Sequence, residues 1–159
     1  MVASAAKESV WDYPRPPRVE PVSAHIEVAH NGVIVVSTKD AVRVLETSHP
    51  PTYYLPSADF AEGILEPVSG NSYCEFKGMA SYFDLVIAGE RISRGAWTYE
   101  SPSKGFASLA GKVALYASNM DQCRVGDDIV IPQDGDFYGG WITSNIEGPF
   151  KGAPGTLGW

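Results

Sequence analysis

Glycine and proline punctuate this sequence so often that few long elements fit between them. The 159 residues include 16 Gly and 12 Pro, above the roughly 7% and 5% of average usage. Proline fixes φ and removes a backbone donor, and glycine costs entropy inside an element. Such a chain is expected to form short elements joined by many turns, with little long helix. A hydrophobic fraction of 44% against 19% charged residues excludes wholesale disorder. The length fits one domain plus an appended segment, and a chain of this size buries roughly 70% of its unfolded surface without needing disulfides or metal.

Where apolar residues recur between the breakers, they do so mostly at period 2. His25 to His30 alternates, Asn31-Gly32 follows, and Val33 to Val36 continues. An Asn-Gly pair between two such runs signals a hairpin, because a type I′ turn needs positive φ at both central residues. Ala41, Val42, Val44 and Leu45 fit one short helix capped by Thr38 and ended by Pro50 and Pro51. Thr52–Leu55, Tyr73–Phe76, Ser81–Ala88, Arg91–Ser93, Trp97–Tyr99 and Lys112–Ala117 read as strands, and Asp59 to Leu65 as a helical turn. The fold class expected is mainly β with one or two short helices: an antiparallel open barrel or two-sheet domain over residues 23–124.

Segments of different character flank that domain. Residues 1–22 carry Pro14, Pro16, Pro17 and Pro21 and are expected to form an extended arm, with Trp11 and Tyr13 docking on the domain or a neighbouring chain. Residues 125–159 are rich in Gly and aromatics (Phe137, Tyr138, Trp141, Phe150, Trp159), which implies an extension packed on the domain or a second subunit. The formal net charge of −7 and pI near 4.8 argue against nucleic acid and anionic lipid as partners. No window approaches the ~20 apolar residues of a membrane span, no signal peptide is visible, and a cytoplasmic location is expected. Cys74 and Cys123 form no CxxC and read as two reduced thiols.

The run Arg43-Val44-Leu45-Glu46-Thr47-Ser48-His49-Pro50-Pro51-Thr52-Tyr53-Tyr54-Leu55-Pro56 resembles the signature of domain of unknown function family 427. Cys74-Glu75-Phe76-Lys77-Gly78, Ala96-Trp97 with Tyr99 and Pro102, and Gly111 to Tyr116 agree in order and spacing, over roughly residues 24–120. The arm and tail resemble those of extended members, cyanobacterial ones included. The resemblance implies a β-tent-like fold, shared with R-specific methionine-sulfoxide reductases and the thalidomide-binding domain of cereblon. Many β-tent proteins hold zinc with two CxxC pairs; this chain has none, and no metal or other cofactor is expected. The family is sometimes labelled nucleotidyltransferase. Asp134-Gly135-Asp136 has the spacing of a metal-binding Asp-x-Asp, but these are turn-forming residues outside the shared core.

Three groups of residues carry potential chemistry. Glu46 and His49 precede two stiffening prolines; either His49 exchanges protons with a ligand and Glu46 orients it, or Ser48 and His49 satisfy nearby carbonyls. Lys77-Gly78 offers a positive charge at a bulge or a close approach, or is an exposed lysine at a bulge. Cys74, three residues away, is expected on the opposite strand face and buried. Tyr54, Tyr82, Trp97, Tyr99 and Tyr116 form an aromatic box, or ordinary core, with Tyr53 and Tyr54 pointing one in and one out. His25 and His30 are too scattered for a metal site. The favoured function is binding an unidentified small molecule. An enzyme using Glu46, His49 and Lys77, and an assembly protein that oligomerises through arm and tail, are the alternatives.

Overall fold

The computed structural model describes residues 7–74, 76–133, 139–152 and 156. Strands dominate. In chain order they are β1 (Glu8–Ser9), β2 (Arg18–Pro21), β3 (Ile26–His30), β4 (Val33–Thr38), β5 (Val42–Leu45) and β6 (Thr52–Pro56). The long hairpin strands β7 (Leu65–Cys74), β8 (Gly78–Ile87) and β9 (Glu90–Thr98) follow, then β10 (Lys112–Leu115) and β11 (Gln122–Val125). Short pieces close the chain: β12 (Asp128–Ile129), β13 (Ile131–Pro132), β14 (Trp141–Ile142) and β15 (Ile146–Glu147). The helices among the described residues are single 3₁₀ turns.

Two open sheets make the domain. The larger runs β2-β5-β6-β10-β9-β8-β7 and the smaller β12-β11-β3-β4; every pairing inside them is antiparallel. The β3–β4 hairpin turns on Asn31 (φ 51°) and Gly32 (φ 75°), the double positive φ that an Asn-Gly pair supplies.

The expected helix over Ala41–Leu45 is instead strand β5, paired with β2 on one side and β6 on the other. Its Val-Arg-Val core satisfies both periodicities over so short a run. β-branched residues with two partner strands settle it as β. Val42 and Val44 enter one apolar cluster. Arg43 points the other way, its Nε 2.6 Å from Glu20 Oε1 and its Nη1 2.6 Å from Glu8 Oε1. The expected helical turn over Asp59–Leu65 is a 3₁₀ turn at Ser57–Asp59, earlier in the chain. The pieces expected at Arg91–Ser93 and Trp97–Tyr99 belong to one strand, β9 up to Thr98. It is interrupted where Arg94 takes φ 50° and its N–H donates to Asp84 Oδ1 at 2.9 Å.

Both faces of the larger sheet are covered. One packs on the smaller sheet in a core that includes Ile26, Val28, Tyr53, Leu55, Leu85, Leu115 and Cys123. Trp141 completes it from the C-terminal segment, fully buried and stacked on Tyr53 at 5.0 Å and 23°. The Trp141 backbone N–H reaches Pro51 O at 2.7 Å. The opposite face carries Val42, Val44, Tyr54, Ala80, Tyr99 and Ala114 beneath Phe106 and Leu109. Tyr53 and Tyr54 therefore point to opposite faces but are both buried, which corrects the expectation of one in and one out.

Arm and tail meet each other. β1 pairs in parallel with β15, and the Trp11 indole N–H donates to Pro149 O at 2.9 Å, although the ring stays partly exposed. Tyr13 is buried with Val10, Leu45 and Ile146 and donates to Glu8 Oε1 at 2.6 Å. Arg18–Pro21, placed in the arm by the sequence reading, forms the edge strand β2 of the larger sheet. Phe137, Tyr138, Trp159 and Asp134-Gly135-Asp136 lie outside the described residues. No helix is long and apolar enough to cross a membrane among the described residues.

Candidate functional site

Strand periodicity builds the floor of a hollow on the second face. Tyr82 pairs with Trp97, Trp97 with Ala114, and Val113 with Leu55, which sets Ala114 beside Tyr54. Side chains of one parity thus form a row across four strands. Ala114 is the small member. Across it the Trp97 indole N–H donates to Tyr54 Oη at 3.2 Å. The rings of Tyr54 and Trp97 meet edge-on, 6.4 Å apart at 89°. Tyr116 packs on Trp97 at 4.7 Å, and Tyr99 on Tyr54 at 6.2 Å.

Above this floor lies a cavity of about 340 Å³. Its walls include Glu46, His49, Lys77, Tyr54, Tyr82, Trp97, Tyr99 and Tyr116, all eight of the candidates singled out from the sequence. They come from separated parts of the chain. Glu46 and His49 stand on the β5–β6 link, Lys77 on the β7–β8 turn, Tyr82 on β8, and Tyr116 beyond β10.

The β5–β6 link is held from both chain ends. Ser48 sits at φ 72°, a conformation a non-glycine residue keeps only when its surroundings impose it. Its N–H donates to Val10 O at 3.0 Å, and its carbonyl accepts from Lys151 N at 2.8 Å. The His49 N–H donates to Glu46 O at 3.0 Å, closing the turn. Burial pushes His49 below the ordinary imidazole value, against the raising influence of Glu46. The ring facing the cavity is therefore neutral at pH 7. Glu46 Oε2 lies 3.4 Å from Arg15 Nε.

Lys77 and Cys74 correct the parity argument. β7 ends at Cys74 and β8 begins at Gly78, and Phe76 and Lys77 lie in a turn, not a strand. Both side chains border the same cavity, and Cys74 is half-buried where full burial was expected. Gly78 takes φ 104° and is approached by Ser101 and Ser103, and Ser103 N–H donates to Lys77 O at 2.9 Å. Lys77 Nζ lies 5.9 Å from the Tyr99 ring centre. Burial raises the phenols of Tyr54, Tyr99 and Tyr116 above their usual value, so all three remain donors at neutral pH. Tyr82 Oη is 2.6 Å from Ser72 Oγ, and Arg94 stacks on its ring at 4.6 Å.

The walls missed from the sequence include Thr52, Ser72, Ala80, Gln133 and Gly139. Thr52 and Ala80 share strand parity with Tyr54 and Tyr82, and Ser72 pairs with Ala80 across the ladder. Gln133 and Gly139 come from the tail. Gln133 Nε2 donates to Lys151 O at 2.6 Å, and its Oε1 accepts from Gly140 N at 3.1 Å. A Cβ on Gly139 would come within 2.3 Å of the Trp97 ring, and one on Gly140 within 2.7 Å of Pro50 O. The paired glycines let the tail lie against that wall, and the Gly139-Gly140 doublet was the available sequence signal.

His30, set aside as a metal ligand, places Nε2 2.8 Å from Glu90 Oε1 and accepts from the Asp121 N–H at Nδ1. His25 lies 2.7 Å from Ser37 Oγ. Among the described residues no group of three or more His, Cys, Asp or Glu is arranged to hold a metal ion.

One family model, NTP_transf_9, described as a domain of unknown function (DUF427), matches residues 18–126. No curated protein matches the chain. The matched span supplies the larger sheet, three strands of the smaller one and most of the cavity wall; β12, Gln133 and Gly139 lie beyond it.

Proposed function

The chain belongs to the DUF427 family, and from the hollow that its matched region carries we propose that it is a binding domain for a small organic molecule. The observation that carries this reading is the convergence of side chains from the β5–β6 link, the β7–β8 turn and four strands on one cavity of about 340 Å³. That volume sits at the lower end of the roughly 300–1,000 Å³ of small-molecule sites, and aromatic walls with a few polar groups are their usual composition. It suits one or two fused rings and is small for a dinucleotide. The binding test is a metabolite panel screened by thermal shift, with hits followed through the indole N–H resonances of the ¹⁵N-labelled chain. A ligand that moves the Trp97 resonance, and binds at least tenfold more weakly to Trp97→Leu, supports the reading. A hit unaffected by Trp97→Leu, or a panel without hits, overturns it.

A second reading rests on one further observation: the neutral His49 imidazole borders the cavity near Glu46. This is the arrangement of a general base, with Lys77 stabilising developing negative charge. On that reading, hydrolysis of an aryl ester such as p-nitrophenyl acetate rises with pH through the His49 titration and drops at least a hundredfold in His49→Gln. Equal rates in the two proteins reject it.

A further inference from the structure

The charges around the cavity are unequal, and the inequality points to a class of ligand. Resting on the binding reading above, we propose that the cavity takes a planar aromatic monocarboxylate, its ring against Trp97 and Tyr116 and its carboxylate between the Lys77 ammonium and the Tyr99 hydroxyl.

Four observations converge on this. The Glu46 carboxylate is answered by the Arg15 guanidinium at 3.4 Å, which removes most of its appeal to a ligand cation. Burial keeps His49 uncharged at neutral pH. Lys77 borders the cavity with its ammonium 5.9 Å from the Tyr99 ring centre, and among the described residues no carboxylate pairs with it. An indole N–H can only donate, so Tyr54 Oη accepts from Trp97. Tyr99 packs on Tyr54 at 6.2 Å along the same wall, and burial keeps its phenol protonated, a donor for an acceptor in the cavity. An ammonium over the Tyr99 ring and a phenol donor on the same cavity wall can together meet one anionic oxygen pair.

Size and charge limit the anion. Lys77 is the lone Lys or Arg among the cavity-lining residues described. One ammonium in a chain of net charge −7 does not offset a triphosphate, so nucleoside triphosphates are excluded from the class. The aromatic floor favours a flat apolar body over a sugar. Arg94 stacks on the Tyr82 ring and donates to Ser69 O at 3.0 Å, and Arg15 pairs with Glu46.

The test uses the full chain and three probes of matched shape: 1-naphthoate, 1-naphthamide and 1-naphthylmethylammonium, with ATP as a fourth. Dissociation constants come from titrations followed on the Trp97 indole resonance. The expected result is naphthoate bound about tenfold tighter than the amide, the worth of one charge-assisted hydrogen bond, and ammonium and ATP weaker than either. Lys77→Met brings naphthoate down to the amide's level, and Lys77→Arg restores the preference. Amide or ammonium bound as tightly as naphthoate, ATP bound more tightly than naphthoate, or a carboxylate preference surviving Lys77→Met, overturns the ligand class while leaving the binding reading in place. No movement of the Trp97 resonance with any probe, and none with the metabolite panel, overturns both.

Discussion

Tyr53 and Tyr54 are neighbours in one strand and inhabit different worlds. Tyr53 lies flat on Trp141 in a core closed by a second sheet. Tyr54 meets Trp97 edge-on beside an open cavity. One sheet thus presents a solid face and a hollow face. The difference lies in what the partner elements bring. On the first side a four-stranded sheet and an indole fill the space between side chains. On the second, the partners are turns and single 3₁₀ segments, and small residues such as Ala80 and Ala114 stand between the aromatics. Continuous packing gives stability, and the gap leaves a cavity.

The widest separation between the faces is expected from their tryptophans. Trp141→Ala empties the core and costs about 3–5 kcal/mol, read as a lower midpoint in chemical denaturation. Trp97→Leu, at a wall with space already beside it, costs about 1–2 kcal/mol and shows mainly in ligand affinity. Equal losses erase the distinction between solid and hollow. The thiols offer the next contrast. Cys123 is 3% exposed in the core and burial pushes its thiol up to about 12, whereas Cys74 borders the cavity. In native protein, iodoacetamide modifies Cys74 at least about a hundredfold faster, because Cys123 needs an opening of the core to react. Peptide mass spectrometry checks the site, and comparable rates show that the core opens readily.

Tyr54→Phe sharpens the comparison further. It strips the acceptor from the Trp97 N–H and costs about 1 kcal/mol, while changing the Trp97 resonance and leaving the Trp141 resonance in place. The smallest effect is on pH dependence. Folding lowers the affinity of His49 for a proton, so the unfolded chain binds more protons just below the ordinary value of 6.5. The stability this residue contributes is present above that pH and is lost as pH falls through the window below it. His49→Gln is expected to flatten that part of the curve in denaturation series between pH 7.5 and 5.5. A slope that persists assigns it elsewhere. Glu8 acts in a lower window. Burial alone raises its carboxyl, but hydrogen bonds from Arg43 and Tyr13 outweigh that and hold it below the usual value.

Local signals were legible in the sequence, and so were most of the residues that border the cavity. Asn31-Gly32 named its hairpin because a single turn chemistry demanded it. Thr52–Leu55 and Lys112–Ala117 read as strands, but both of their faces are buried, so the pattern did not say which face meets the core. The eight cavity residues were found because ionisable and aromatic groups stand out beside prolines and glycines. What remained hidden was non-local. β5 reads equally as helix until β2 and β6 flank it. Cys74 and Lys77 share a cavity because the chain reverses between them, which defeats parity. Gln133 and Gly139 reach the wall through contacts that span the sheet, and no spacing within the tail reports where it will lie.

Ser48 links these observations. The first turn of the described chain and nearly its last both grip this one residue, through Val10 and Lys151. The wall that carries the imidazole is thereby tied to the segments before β2 and after β15 as well as to the sheet beneath it. Cleaving either tether is expected to free a left-handed backbone to swing into a roomier basin and take His49 with it, so two flanking segments are guy-ropes for the interior.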